Sequence, residues 1–342
     1  MQLGFGSITC QRPPGDTRSD ADRYGEALDL CVEAERLGFD SVWLSEHHFF
    51  DDSYLPSLLV LAAAIAARTS RITIGTDVIL APLHEPIRLA EDAAVVDLVS
   101  GGRLVLGLAQ GWREEEFLGL RVPLHGRHRR LEDAIAVLRQ AWSDSLVTGG
   151  EVVSYPGVSV TPKPARPGGP PVWVGGVSEP AVRRAGRLGD GFLANWTTPE
   201  GFGQWVAWVR EELERAGRDP GRFTFSAVLP VFAWEGEDAW PRIRDAFYHY
   251  VWKYEDMASA RGRLGSPPAP PPLSAEREAE LRALAIVGRP DEVAERLLAY
   301  EEAAGADVHL IAELCWPALD RGVLREAMAV FAGAVAPRLR AG

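Results

Sequence analysis

Lysine is almost absent from this chain: Lys163 and Lys253 stand against 34 arginines. We read that imbalance as compositional bias and not as a functional signal. Positive charge is short overall, with 36 basic residues facing 48 acidic ones for a net charge of −12. Such a balance argues against nucleic acid and against anionic membranes as partners. Cysteine is scarce as well. Cys10, Cys31 and Cys315 lie far apart with no CxxC spacing, which suggests neither a disulfide framework nor a zinc site. No apolar run approaches the roughly 20 residues of a membrane span. Strand-like sequence begins at Gln2, so no signal peptide is expected, and the expected compartment is a reducing cytoplasm.

What is present is a rhythm. The 342 residues, 46% hydrophobic and 25% charged, suit a globular protein with a large core. Strand patterns at 3–8, 41–44, 72–80, 104–109, 172–175, 191–195, 224–232 and 308–314 alternate with helical ones. Eight strands with helices between them predict an α/β fold of the (β/α)8 TIM-barrel type, one domain over 1–342, in preference to an open sheet. Two stretches break the rhythm. Residues 151–171 carry short β-like pieces and several prolines and read as an excursion on the barrel rim before strand five. Residues 262–278 include Pro267-Pro268-Ala269-Pro270-Pro271-Pro272 and read as a mobile low-complexity insertion, either a lid or a surface loop. The basic run Arg127-His128-Arg129-Arg130 reads as a helix start. The helical stretch 56–68 has no polar face for two turns, which predicts a cover on both sides and hence a homodimer.

Three constellations can carry chemistry. Trp43-Leu44-Ser45-Glu46-His47-His48-Phe49 follows a helix, a glycine stop at Gly38 and a short strand. It therefore falls at a strand's carboxyl end, where barrels keep their sites. If the strand continues, His47 points opposite to Glu46 and His48. One imidazole can then face the mouth as an acid or base while its neighbours support it. Glu46, His47 and His48 are also metal-ligand types, and Asp77 and Glu313 are the further ligands such a site would recruit, but the spacing is not diagnostic and no metal is expected. The second constellation is Gly175-Gly176-Val177-Ser178, a strand end and turn before a helix with Pro180 in its first turn. It suits an anion held by backbone N–H groups, with Ser178 capping the helix or donating to the anion; plain turn chemistry is the competing reading. In the third, Ser100-Gly101-Gly102-Arg103, the arginine begins a strand at the wrong end for catalysis and reads as structural. Phe5, Phe49, Trp112, Trp196 and Trp316 fall near predicted strand ends and together can wall a dry cavity.

These motifs, in this order, resemble the bacterial luciferase-like flavin monooxygenases. The matching residues are Ser45-Glu46-His47-His48-Phe49; Gly75-Thr76 with Pro82 and Pro86; Ser100-Gly101-Gly102-Arg103-Leu104; Gly107 with Gly111; Gly175-Gly176; Arg184-Ala185 with Gly189-Asp190-Gly191; and Ile286-Val287-Gly288 with Pro290. The likeness covers nearly the whole chain. It implies reduced FMN supplied by a separate flavin reductase, and O2, which together form a C4a-hydroperoxide that oxygenates a small organic substrate. His47 then corresponds to the catalytic histidine, with Glu46 and His48 as its supports. Asp77-Val78 matches the place of a non-proline cis peptide beside the flavin ring, and Gly175, Gly176, Val177 and Ser178 match a phosphate-binding turn. Gln110 departs from the pattern, because the luciferases have there an arginine that pairs with the flavin phosphate, and an amide cannot make that charge-assisted pair. The alternatives are a hydride-transfer oxidoreductase using the deazaflavin F420, and a catalytically silent flavin-binding barrel. Substrate identity is not legible. Specificity is expected in residues 51–54, 112–116 and the Pro-rich loop.

Overall fold

Eight parallel strands hydrogen-bond in chain order and close on themselves, as the alternation predicts. The computed structural model describes residues 1–236, 238–259 and 269–341. The staves are β1 (Gln2–Ile8), β2 (Ser41–Leu44), β3 (Thr73–Thr76), β4 (Leu104–Ala109), β5 (Val172–Gly175), β6 (Gly191–Asn195), β7 (Thr224–Ala233) and β8 (Val308–Glu313). Closure comes from β8 against β1, with Gln2 opposite His309 and Gly6 opposite Glu313. The stretch 72–80, expected as one strand, is broken. Ile79–Leu80 resumes pairing with β4 after a cis peptide between Asp77 and Val78, and a second non-proline cis peptide joins Gly6 to Ser7.

The barrel interior is plugged by Trp43, Val105, Trp173, Leu193, Val228 and Ile311. Trp43 is fully buried, and its bulk explains three glycines. A Cβ at Gly4, Gly6 or Gly75 would come within 2.7, 2.9 and 2.4 Å of the Trp43 side chain, closer than carbon and nitrogen atoms pack. Since those glycines face inward, Phe5 between Gly4 and Gly6 faces outward. It packs on Phe39 at 5.9 Å in the layer beneath the helices.

Helix ends follow local chemistry. Helix α1 (Asp20–Leu37) starts at a Ser19–Asp22 capping box and stops at Gly38, whose φ of 86° is left-handed. Helix α2 (Leu58–Arg68) buries Leu58, Leu61, Ala62, Ile65 and Ala66 and leaves Val60 73% exposed. Helix α3 (Pro86–Ser100) packs beside it. Arg103 is structural, as its position implies, since its guanidinium donates to the carbonyls of Ala66, Thr69, Ile72 and Ser100. The rim excursion is a two-stranded antiparallel ribbon, Val147–Gly149 with Ser154–Val158. The Asp133 carboxylate accepts three successive backbone N–H groups there, from Glu151 to Val153. Of the Pro-rich insertion, 262–268 lie outside the described residues. The low-complexity reading of its remainder fails from Ser274, whose side chain caps a helix over Ala275–Leu284; the sequence there, Ala-Glu-Arg-Glu-Ala-Glu, is made of strong helix formers. Among the described residues no helix is long and apolar enough to cross a membrane.

Candidate functional site

Strand β2 ends at Leu44, so residues 45–48 are not strand, yet consecutive side chains still part to opposite sides. His47 is buried, and its Nδ1 lies 2.7 Å from Glu116 Oε1. The same oxygen accepts the backbone N–H of His48 at 2.9 Å. Glu116 comes from the short helix Glu114–Gly119 and is fully buried, with its second oxygen unpartnered among the described residues. A carboxylate can only accept, so the neutral imidazole carries its proton on Nδ1 and presents Nε2 as a free base. The rings of Phe50, Tyr54, Trp112 and Tyr254 stand edge-on around it, with centroids at 6.0, 4.9, 6.1 and 5.8 Å. Sequence reasoning placed Glu116 only in a specificity segment. Three consecutive glutamates gave no sign of which one would turn inward.

Glu46 and His48 meet on the other side. Glu46 is buried, and its Oε1 accepts Nε2–H from His48 at 2.9 Å and from His84 at 3.0 Å. Burial pushes the Glu46 pKa up, but the two imidazole hydrogen bonds outweigh it and hold the carboxyl below its usual range. At His84 burial pulls down and the Glu46 carboxylate prevails, raising the imidazole's pKa. Their ligand atoms lie within 4.8 Å of one another, a spacing a metal ion could use, but hydrogen bonds to the carboxylate already account for both imidazoles. Asp77 and Glu313, named from the sequence as possible metal partners of this cluster, do not join it. His84, which does, was missed.

Asp77 and Glu313 instead lie over the barrel plug, with Ser7. Ser7 Oγ donates to Asp77 Oδ2 at 2.9 Å. Tyr250 OH and Trp196 Nε1 donate to the two oxygens of Glu313 at 2.7 and 2.8 Å. Burial drives Asp77 up to about 6 and Glu313 up to about 7. Of the aromatics expected to wall the mouth, Trp196 and the half-exposed Phe49 and Trp112 are at the rim or floor. Phe5 faces outward, and Trp316 is fully buried against Phe247 at 5.0 Å.

The predicted anion turn leads into the helix Glu179–Leu188. Ser178 is exposed and makes no side-chain cap bond, so its hydroxyl is available. Gly175 is buried beside Val78, and a Cβ at Gly176 would sit 2.5 Å from that of Ala181. The glycine therefore serves close helix approach, and Val177 is exposed. Gln110, half-buried, follows β4 directly. The next carbonyl, of Gly111, accepts Arg127 Nε at 3.0 Å. Arg127 opens the helix Arg127–Trp142, whose Glu132 pairs with Arg184 of the helix Glu179–Leu188 at 2.8 Å, so the two helices adjoin. His125, His128, Arg129 and Arg130 line a cavity of about 250 Å³ at the first of them.

A parallel barrel with a carboxylate-held histidine and buried carboxyls at its mouth defines a (β/α)8 enzyme. Comparison gives the family. Residues 1–307 match the luciferase-like monooxygenases, and the chain belongs to that family of oxidoreductases. It is 31% identical over 162 residues to the oxygenase component of a flavin-dependent trigonelline monooxygenase of Acinetobacter baylyi, covering 46% of this chain and 45% of that one. It is 33% identical over 220 residues to an F420-dependent glucose-6-phosphate dehydrogenase of Kineococcus radiotolerans, covering 60% and 64%. The chain thus spans between about half and two thirds of these curated relatives. The crystal structure of monooxygenase RslO1 from Streptomyces bottropensis superposes with a TM-score of 0.83 at 23% identity, over 98% of this chain and 99% of that one, a likeness of fold. Flavin-dependent monooxygenases and F420-dependent oxidoreductases are both neighbours.

Proposed function

We propose that the protein is the oxygenase component of a two-component monooxygenase, taking reduced FMN from a separate flavin reductase and using O2 to oxygenate a small organic substrate. The observation that carries this reading is the enclosure of His47: a base fixed by Glu116 and ringed by four aromatic side chains. Oxygen chemistry at a flavin needs a water-poor site, and that ring supplies one. Bound reduced FMN would bring the electrons that activate O2. The chain's own groups do the rest. Gly175, Gly176, Val177 and Ser178 would receive the phosphate at a helix start, and Asp77 and Val78 would lie against the ring. Arg127, anchored beside Gln110, is the cation placed to replace the missing arginine. Glu116 orients His47, whose Nε2 can hold or release a proton, while Glu46 and His48 fix the loop. Gln110 itself favours the second reading, an F420-dependent hydride transfer. Anaerobic calorimetry with reduced FMN, oxidised FMN and F420 separates the two. Reduced FMN is expected to bind most tightly, and F420 binding tenfold tighter would overturn the assignment.

We also infer a homodimer in a reducing cytoplasm, where Cys10, Cys31 and Cys315 stay free. The exposed Val60 of α2 and Val95, Leu98 and Val99 of α3 form an aliphatic face that a second copy would cover. Sedimentation at micromolar concentration should report twice 37.3 kDa, and Val60→Arg with Ala63→Arg should give monomers. A monomeric wild type would sink the idea.

A further inference from the structure

Two carboxyl groups, the buried Glu313 and the half-buried Asp77, share the barrel mouth, and among the described residues neither is paired with a basic side chain. Strand alternation puts them there. Ile311 belongs to the interior plug, so Glu313 two residues on points the same way. Gly75 faces Trp43, so Asp77 does likewise. Glu313 has both oxygens filled, by Tyr250 and Trp196. Asp77 does not. Its Oδ2 takes the Ser7 hydroxyl, its Oδ1 makes no hydrogen bond among the described residues, and the side chain is only half-buried. An unfilled carboxylate oxygen at the open side of a barrel plug is placed to meet a ligand.

We propose that Asp77 is a second catalytic residue, a general base whose free Oδ1 takes a proton from the bound substrate, with Ser7 and Glu313 as positioning residues. In the step the substrate's X–H bond breaks, an O–H bond forms on Asp77, the electron pair stays on X, and the proton passes later to water; nothing is oxidised or reduced. The inference rests on the proposed function only in taking the mouth to hold a substrate beside a redox cofactor. A carboxyl pair without a cation costs stability, and Asn or Ser at 77 would satisfy Ser7 equally well. Such a local conflict marks a functional site. The groups facing Asp77 are Ser7 from β1, Glu313 from β8 and Tyr254 from the helix Trp240–Ser259, with Trp196 and Tyr250 bonded to Glu313 beyond them; of these only Glu313 can be charged near neutrality. Tyr254 is bonded in turn to Tyr54 at 2.6 Å, and both rings contact His47, so the two acid–base groups of the mouth flank a common tyrosine wall. With burial setting Asp77 at about 6, the base form prevails at neutral pH and is lost on acidification.

The test compares Asp77→Asn with wild type in substrate turnover and in the pH profile of kcat, using whichever cofactor binds. Turnover should fall by roughly 100-fold or more. The wild-type acid limb near pH 6 should be absent from the residual activity. Infrared difference spectra of the unliganded protein should show two protonated-carboxyl bands titrating in this range, one of them lost in Asp77→Asn and kept in Glu313→Gln. If Asp77→Asn does not fold, Ser7→Ala decides: removing a hydrogen bond to the ionised form should move the limb to higher pH. Turnover within about tenfold of wild type, an acid limb that survives Asp77→Asn, a band titrating at the ordinary aspartate value, or an unmoved limb in Ser7→Ala would overturn the proposal. Failure of FMN to bind would overturn the monooxygenase reading and leave this one standing, because the infrared titration needs no cofactor.

Discussion

His47→Ala is expected to lower turnover by ~10²–10⁴-fold, the usual contribution of a positioned acid or base, while the FMN dissociation constant moves little. The separation follows from geometry. His47 is tied through Nδ1 to Glu116 and ringed by aromatic side chains, whereas the anion turn is built from Gly175 to Ser178 on another strand end. His48→Ala is the control. Its imidazole faces Glu46 and His84, away from His47, so its loss should loosen the loop and cost a smaller factor. Turnover would be followed with a panel of aldehydes, ketones, organosulfonates and larger aromatic substrates, and cofactor binding by fluorescence. If His47 only braced the wall, its removal would cost stability and flavin affinity together. Equal, small effects from the two substitutions would refute a catalytic His47.

The barrel was legible because its staves are short apolar runs, and glycine stops such as Gly38 and Gly101 end the preceding helices in the left-handed region. The site was legible only where it is local. Glu46, His47 and His48 sit together in sequence. Glu116 lies 69 residues from His47 and His84 lies 38 from Glu46, and nothing in their flanking sequence distinguishes them from surface acids and loop histidines. The sequence offers Asp77 and Glu313 together only as the further ligands of a metal site that is not expected, and Asp77 separately as a neighbour of the flavin ring. Only barrel closure, with Gly6 opposite Glu313, shows that they gather around Ser7 instead. The aromatic wall was misjudged where strand direction decides: inward-facing glycines at 4 and 6 send Phe5 outward. The helix at Ala275–Leu284 was hidden by the prolines before it, although its composition alone argues for it.

Trp43→Ala is expected to be the most destabilising single change in the barrel. Truncating a buried Trp typically costs ~3–5 kcal/mol, the larger values belonging to sites that cannot collapse. This site cannot. The walls nearest to Trp43 are the backbones of Gly4, Gly6 and Gly75, which have no side chains to lean into the space. Trp173, tilted against it at 5.1 Å, is held within its own strand, and His309 stands edge-on at 5.6 Å. The indole N–H also donates to Ser41 Oγ at 2.8 Å, and that hydroxyl is bonded to His309 Nε2 at 2.7 Å. Burial holds the His309 imidazole down at about 4, hence neutral, so truncation strips one donor from a buried polar chain. The loss should appear as an apparent melting temperature lower by on the order of 10 °C. Trp43→Phe, which keeps most of the volume, should recover more than half of it. The consequence reaches the site, because Asp77 stands two residues beyond Gly75 and Glu313 two beyond Ile311, both packed on this plug. Cofactor affinity should therefore fall in Trp43→Ala even at temperatures where the variant is folded, and stay near wild type in Trp43→Phe. A variant with unchanged melting temperature would show that the barrel repacks around the void, and that the glycines are not there to accommodate the indole.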